Sequence, residues 1–285
     1  MGRKEEVKRL LSMSPEEIKR KAGGKVIIFK NLDELHRHFA RTIADEIKNN
    51  NDIGRRTSLI LPVGPTGQYP ILVKIINREK ISLKNCFFFF MDEYVDGSGK
   101  AITKSHALSF KREMDHLFFG HINKNLRIPA SQLKFPDHTN IRKLKSFISA
   151  AGGIDTCYGG IGVHGHVAFN EPAKGVKNTD PRIVDLNQYT VTINAIRSNI
   201  GGDLVNFPVK AVTLGLNQIR NAGRIRLFCR NDVPGLDWAN LVLRLALFGK
   251  PGDDYPVTHL NSHKDIVIGT TLDTARKPVN ILPLN

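Results

Sequence analysis

The sequence of 285 residues lacks the features that mark several protein classes. Its three cysteines, Cys86, Cys157 and Cys229, are an odd and widely spaced set, so we expect buried free thiols rather than disulfides or metal ligands. No apolar run approaches the roughly 20 residues needed to cross a bilayer. The charged N-terminus has no apolar core of a signal peptide. These absences predict a cytoplasmic protein with no membrane partner.

Acidic residues are also scarce, because 27 Asp and Glu stand against 42 Lys and Arg and give a formal net charge of +15. Such a charge is compatible with nucleic-acid binding. However, the basic residues are spread along the chain, without an Arg-rich run or a helix-turn-helix pattern. We therefore expect no nucleic-acid partner and interpret the charge as that of a basic enzyme with an anionic small-molecule substrate.

Apolar runs and helical stripes alternate along the chain, and there is no internal repeat. We expect strands at residues 25–29, 59–61, 87–91, 157–160, 209–214 and 226–229, and helices at 32–48, 70–76, 110–119, 141–151 and 236–248. The polar stretch 96–106 is expected to be a loop near the site. This alternation at βαβ spacing predicts an α/β fold with a doubly wound, mostly parallel sheet and helices on both faces, of Rossmann-like type.

The first 24 residues are basic and helical in pattern. Ser14, followed by Pro15 and by Glu17 at the third helical position, is typical of a capping box at a helix start. The pattern stops at the glycine pair 23–24. We therefore expect residues 1–24 to form a basic helical N-terminal extension and residues 25–285 to form a single domain.

Chemistry-bearing residues concentrate in the segment 159–172, which contains glycines, two histidines and a glutamate. Glycines such as Gly160 and Gly162 allow the backbone to approach a ligand closely. His164, His166 and Glu171 are acid–base groups that can work near neutral pH. The pattern indicates a catalytic or binding loop.

Two further segments add polar groups after expected strands. Asp92 and Glu93 follow the apolar run 87–91, and the carboxyl end of such a strand is where ligands bind in open α/β sheets. The segment 59–70 reads as a strand, a loop with Gly64, Thr66 and Gly67, and a helix. Loops of this kind present amide N–H groups and a helix N-terminus to an anion.

Taken together and in order, these three segments resemble the glucosamine-6-phosphate deaminase family, from about Val26 to the C-terminus. The family usually reads G-G-(I/V)-G-x-D-G-H-(I/V)-A-F-N-E-P at residues 159–172 and M-D-E-Y at 91–94. Its members convert glucosamine 6-phosphate to fructose 6-phosphate and ammonia without a cofactor. The resemblance implies an amino-sugar-phosphate deaminase/isomerase with no metal. Family members often form oligomers, so the resemblance allows a homo-oligomer for this chain.

The resemblance also implies roles for individual residues. Asp92 matches the proton shuttle on the sugar, His166 the group that protonates the ring oxygen, and Glu171 the carboxylate that orients and charges this histidine. Glu93 is interpreted as a structural or charge-balancing residue. The residues expected to bind the substrate and its phosphate are Gly64, Thr66, Gly67, Gly160, Gly162 and Arg197.

The chain departs from the family pattern at three places. His164 stands where the family has the aspartate that supports the ring-opening histidine, and Tyr69 replaces a small hydroxyl residue. The segment 227–235 lacks the family's lysine, so either Arg197 and Arg230 bind the anion or the substrate differs.

Alternative functions remain open at this point. His164 and His166 with Glu171 suggest a metal site as a lesser alternative. A hydrolase resembling 6-phosphogluconolactonase shares the fold, but it normally has an S-L-F-P-like stretch after its Gly-His. A non-catalytic sugar-phosphate sensor on the same scaffold is the third hypothesis for the function, after the deaminase and the hydrolase.

Overall fold

A computed structural model describes residues 2–233 and 235–283 of the chain. Met1, Pro234, Leu284 and Asn285 lie outside the described residues. Met1 is the first residue of the expected extension 1–24, and Leu284 and Asn285 end the expected domain 25–285. Pro234 belongs to the segment 227–235. No helix in the described ranges is long and apolar enough to cross a membrane.

The main sheet has seven parallel strands within the described residues, in the order β1-β10-β9-β6-β2-β3-β5. Its strands are β1 Val26–Phe29, β2 Thr57–Leu61, β3 Cys86–Phe90, β5 Leu133–Lys134, β6 Thr156–Gly160, β9 Arg224–Cys229 and β10 Ile266–Thr271. A smaller antiparallel sheet, in the order β4-β8-β7, stands beside it. It consists of β4 Asp92–Val95, β7 Arg182–Asp185 and β8 Lys210–Thr213.

Helices cover both faces of the main sheet. They are α1 Arg3–Leu11, α2 Pro15–Ala22, α3 Leu32–Asp52, α4 Gln68–Glu79, α5 Phe110–Leu117, α6 Leu144–Ala150, α7 Gln188–Arg197, α8 Leu216–Arg220, α9 Ala239–Phe248 and α10 Leu272–Ala275. Successive strand residues point to opposite faces. Ile60 and Phe89 therefore join a core with α6, α8 and α9, whereas Leu59 and Phe88 join a core with α3, α4 and α5. The predicted doubly wound fold is confirmed.

The strand order creates a switch point between β2 and β6. From β2 the chain proceeds through β3 to β5 toward one edge, and from β6 through β9 to β10 toward the other. The loops after the two neighbouring strands diverge there and leave a crevice at the carboxyl ends of the strands. The loop after β2 and the segment 159–172 meet at this crevice.

The N-terminal helices α1 and α2 pack into the core beside α9. Ser14 caps α2 as predicted, because its hydroxyl accepts from the Glu17 amide and the Glu17 carboxylate accepts from the Ser14 amide. Leu10 and Ile18 are fully buried. The buried guanidinium of Arg244 in α9 donates to the carbonyl of Met13 at 2.8 Å. Residues 3–22 are thus packed as part of the same hydrophobic core as α9.

Several boundaries and elements differ from the expectations. The helix expected at 236–248 begins at Ala239, and the one expected at 70–76 begins at Gln68 and reaches Glu79. The residues directly after β3 form the strand β4 of the second sheet, which the sequence patterns did not predict. The sequence patterns did not predict β7, α7 or β10, and β7 is a four-residue strand whose side chains are all intermediate or exposed.

Candidate active site

A cleft of about 790 Å³ lies at the carboxyl ends of β2, β3 and β6. It brings together seven of the expected site residues, namely Gly64, Thr66, Asp92, Gly160, Gly162, His166 and Arg197. The other three, Gly67, His164 and Glu171, lie behind this lining. The expected residues thus lie at or next to one cleft, together with four residues that the sequence patterns did not single out, namely Asn187, Thr190, Asp232 and Trp238.

Asp92 opens β4, where it pairs with Thr213 of β8, so the second sheet fixes its position at the floor of the cleft. The residue is 7 % exposed. Burial first, and then the charge of Glu93, raises the pKa of Asp92 to about 8. Within the described part of the chain, no hydrogen bond reaches its carboxylate. Asp92 can therefore gain or lose a proton near neutral pH, as a general acid–base group must.

Glu93 has a different environment although it is the next residue. It is fully buried, and its carboxylate accepts from the amides of Tyr94, Phe110 and Lys111 and from the Ser109 hydroxyl, at 3.0–3.1 Å. Burial raises its pKa, and the three amide hydrogen bonds oppose that rise. Because Ser109 caps α5 and the Phe110 and Lys111 amides begin it, Glu93 holds the N-terminus of that helix against β4.

His166 and Glu171 form a buried pair, with His166 Nδ1 3.3 Å from Glu171 Oε2. Thr190 Oγ1 lies 3.4 Å from the same nitrogen, and Asn187 Nδ2 donates to Glu171 Oε2 at 2.8 Å. Burial would raise the pKa of Glu171, but the charge and hydrogen bond of His166 together with Thr190 and Asn187 lower it below its usual range. An ionised Glu171 therefore faces the imidazole of His166.

Asn187 and Thr190 belong to the first turn of α7. Asn187 caps this helix, because its Oδ1 accepts from the Thr190 amide at 3.0 Å while its Nδ2 points to Glu171. An Asn at the start of a helix is a recognisable signal. No helix was expected at residues 188–197, so this signal was missed.

Two glycines make the contacts of the signature segment sterically feasible. A Cβ at Gly162 would lie 1.9 Å from His166 Nε2, and a Cβ at Gly160 would lie 2.9 Å from the Gly64 carbonyl oxygen. Side chains at these positions would displace the imidazole or separate the segment from the loop after β2. The glycines thus bring the histidine and the loop to the same cleft.

His164 lies beside the His166–Glu171 pair and not in the cleft lining. Its ring packs edge-on against Tyr189 and Tyr255, with centroid distances of 5.5 and 5.4 Å. Its Nδ1 is 3.3 Å from Asn187 Nδ2, which also donates to Glu171. Burial lowers the pKa of His164, and the nearby Glu171 charge only partly offsets this. A neutral imidazole thus occupies the position where the family has an aspartate.

The arrangement of these groups also bears on the metal alternative. Across residues 2–233 and 235–283, no three His, Cys, Asp or Glu side chains converge as a metal-binding group. His164, His166 and Glu171 instead each lie within hydrogen-bonding distance of Asn187 or Thr190 at the start of α7.

The far end of the cleft is cationic. Arg197 at the end of α7 donates through Nη2 to Asp232 Oδ1 at 2.7 Å, and its guanidinium lies 4.6 Å from the centroid of the Trp238 ring. Arg230, just after β9, donates through Nη2 to Asp232 Oδ2 at 2.8 Å. Burial lowers the pKa of Arg230 to about 10, which leaves it charged at neutral pH. Two guanidinium groups therefore share one carboxylate.

The loop after β2 adjoins this cationic end through His36. The His36 ring packs against Gly67, where a Cβ would come within 2.4 Å of it. Burial, and then the charge of Arg230, lowers the pKa of His36 to about 4, so the ring is neutral. Tyr69 is fully buried under the loop, and its hydroxyl donates to the Pro62 carbonyl. Tyr69 is thus a structural support of the loop.

The fold and the site together define an enzyme of the doubly wound α/β class with acid–base groups at its switch point. No protein-family model matches the chain. It is 33% identical over 207 residues to a glucosamine-6-phosphate deaminase of Caenorhabditis elegans, an alignment that covers 71% of this chain and 74% of the relative.

Solved structures agree with this relationship. The fold matches a monomeric glucosamine-6-phosphate deaminase of the NagB superfamily with a TM-score of 0.76 and 26% identity, over 88% of this chain and 98% of that one. A 6-phosphogluconolactonase of Thermotoga maritima, at 16% identity and TM-score 0.63 over 86% and 98% of the two chains, shares the fold. The chain belongs to the glucosamine-6-phosphate deaminase family.

Proposed function

We propose that this enzyme converts glucosamine 6-phosphate and water to fructose 6-phosphate and ammonia. The observation that carries the proposal is the buried carboxylate of Asp92, with a pKa raised to about 8, in the same cleft as the His166–Glu171 pair and the two arginines. Proton transfer on carbon and on oxygen, together with anion binding, is what the reaction needs.

His166 is assigned to ring opening. Its imidazolium, supported by Glu171 at 3.3 Å, gives a proton to the ring oxygen of the pyranose as the bond between C1 and that oxygen breaks. The hydroxyl proton on O1 passes to water as the C1 aldehyde forms. Asn187 and Thr190 hold the pair in place from the first turn of α7.

Asp92 is assigned to the transfer between C2 and C1. Its carboxylate takes the C2 proton of the open-chain aldose while water donates a proton to O1, which gives an enolamine. Asp92 then returns the proton to C1, and the C2 amine becomes an imine. Water adds to C2, ammonia leaves, and the C2 ketone of fructose 6-phosphate remains. A single carboxylate can serve both steps because its raised pKa allows both protonation states near pH 7.

The substrate phosphate is assigned to the cationic end of the cleft. Thr66 and Gly67 precede α4, whose N-terminus carries a partial positive charge and unpaired amide groups. Arg197 and Arg230 supply guanidinium N–H groups beside this loop. Gly160 and Gly162 line the middle of the cleft, where the sugar would lie.

The proposed reaction also bears on the cofactors, the partners and the location of the enzyme. The chemistry needs only carboxylate and imidazole groups, so it calls for no cofactor, and the substrate is a small sugar phosphate and no nucleic acid. A cytoplasmic location and a homo-oligomeric state are part of the same hypothesis, as is a division into the extension 1–24 and a domain 25–285.

A substrate panel tests the proposal. Ammonia and ketose would be measured with glucosamine 6-phosphate, unphosphorylated glucosamine, other amino-sugar phosphates and 6-phosphogluconolactone. We expect ammonia and fructose 6-phosphate in equal amounts from the first compound and little from glucosamine. Hydrolysis of the lactone without ammonia release would favour the hydrolase reading, and tight binding of sugar phosphates without turnover would favour a sensor.

A further inference from the structure

Asp232 is a residue of the cleft that the proposed reaction does not use. It lines the cleft next to Arg197 and Arg230 and accepts a hydrogen bond from each, through Oδ1 at 2.7 Å and Oδ2 at 2.8 Å. The side chains of Arg197, Arg230 and Asp232 are 27%, 12% and 15% exposed. The cluster therefore carries a net charge of +1, although it contains two guanidinium groups.

The Asp232 carboxylate occupies donors that a phosphate would use. Guanidinium groups bind carboxylate and phosphate oxygens with the same N–H geometry. A phosphoryl group that reaches Arg197 and Arg230 must therefore share these donors with Asp232 or displace it. Because the cluster is largely shielded from water, the repulsion between the two anions is only weakly screened.

Other polar groups of the cluster retain hydrogen-bonding capacity. The buried atoms Arg230 Nε and Trp238 Nε1 have no acceptor among the described residues. Arg197 lies over the Trp238 ring and Arg230 beside His36, so these groups border the same end of the cleft. A rearrangement of Asp232 would leave donors in this cluster for a second anion.

We infer that Asp232 is an internal counter-ion that competes with the substrate's phosphate for Arg197 and Arg230 and sets the affinity of this subsite. The inference rests on the proposed function, since it takes a phosphate as the anion bound at this end. In the free enzyme Asp232 holds the two arginines together and limits their mutual repulsion. In the complex it opposes the phosphate, so the wild-type enzyme binds sugar phosphates less tightly than its two arginines would allow.

The test is the change Asp232→Asn, which removes the charge and keeps the size of the side chain. Isothermal titration with inorganic phosphate and with fructose 6-phosphate measures the affinity directly. We expect both ligands to bind about tenfold more tightly than to the wild type, as removal of one unit charge near the contact allows. The matched control is Asp237→Asn, because Asp237 pairs with Arg276 and does not line the cleft. It should change either affinity by less than about threefold.

Two results would overturn the inference. Weaker binding to a folded Asp232→Asn protein would mean that Asp232 positions the arginines for phosphate, and unchanged binding would mean that the phosphate lies elsewhere. If the Asn variant does not fold, Asp232→Ser removes the same charge and is read in the same way. The proposed function is judged separately, from ammonia release by the wild type. Absence of that release together with tighter phosphate binding would leave the counter-ion in place and remove the deaminase assignment.

Discussion

The two ends of the cleft use carboxylates in opposite ways. Asp92 is buried with no hydrogen bond to its carboxylate among the residues described, and its pKa is raised to about 8. Asp232, also shielded, is fixed by two guanidinium groups. Burial alone therefore does not assign a role to a carboxylate. An unpartnered acid is available for proton transfer, whereas a paired acid tunes the charge around it.

The largest effect is expected at the proton-transfer end, from Asp92→Asn. The amide cannot take the C2 proton, so kcat for glucosamine 6-phosphate should fall by more than ~100-fold, the low end for a positioned general acid–base. Steady-state ammonia release measures this, with Asp185→Asn as a control at an exposed acid of the same small sheet. Near-normal turnover by a folded Asp92→Asn protein would remove Asp92 from the mechanism.

A smaller effect, of a different kind, is expected at the cationic end. Arg197→Met removes a charged donor worth ~1.5–3 kcal/mol, so KM should rise roughly 10- to 100-fold while kcat changes little. The control Arg55→Met alters an arginine that pairs with Asp155 away from the cleft. If kcat falls and KM stays constant, Arg197 acts in the chemical step and the division between the two ends is wrong.

His164→Asp tests the support of the proton-donating histidine. A negative charge beside the His166–Glu171 pair should favour the protonated imidazole and raise turnover on glucosamine 6-phosphate by about tenfold, which requires only ~1.4 kcal/mol. His164→Asn is the matched neutral control. The same variants should be assayed on the best substrate of the panel, where a loss would indicate adaptation to that sugar. Equal rates for all three proteins on both substrates would make His164 a packing residue between Tyr189 and Tyr255.

The burial of Asp92 also predicts a pH-dependent cost in stability. Its pKa rises from 3.8 to about 8 on folding, so the unfolded chain loses this proton first. The resulting loss of wild-type stability accumulates as the pH rises from about 4 through about 8. Asp92→Asn should therefore raise the free energy of unfolding at pH 8 by at least ~1 kcal/mol and have little effect near pH 4. Denaturant unfolding at the two pH values measures this, and an equal effect at both would contradict the raised pKa.

The sequence revealed the parts of the fold that long apolar runs encode. The strands β2, β3 and β6 are buried runs followed by glycines or carboxylates, and such runs have few alternatives to the centre of a parallel sheet. The second sheet was missed although its strand β8 was expected at 209–214, because β4 and β7 are only four residues long and are defined by antiparallel pairing with β8, which is distant in sequence. Asp92 lies in the cleft, and its position depends on the unpredicted pairing with Thr213.

The site residues that share one sequence motif could be predicted. Those that meet only through contacts between elements distant in sequence could not. His166 and Glu171 share one signature, whereas Asn187 and Thr190 join them only because α7 begins there. The sequence suggested Arg197 and Arg230 as the anion-binding residues. It gave no sign that Asp232 lies between them, since that arrangement depends on how the end of α7 meets the loop after β9.

The account separates a proton-transfer end of the cleft from an anion-binding end. The measurement that tests this separation most directly is the affinity of Asp92→Asn for fructose 6-phosphate. At pH 7 the protonated form of Asp92 predominates, so an Asn leaves the charge of the site nearly unchanged. We predict a dissociation constant within about threefold of the wild-type value, in a protein that has lost more than ~100-fold in turnover. A loss of affinity of about tenfold or more would contradict the account, because Asp92 would then bind the sugar phosphate and not only transfer its proton.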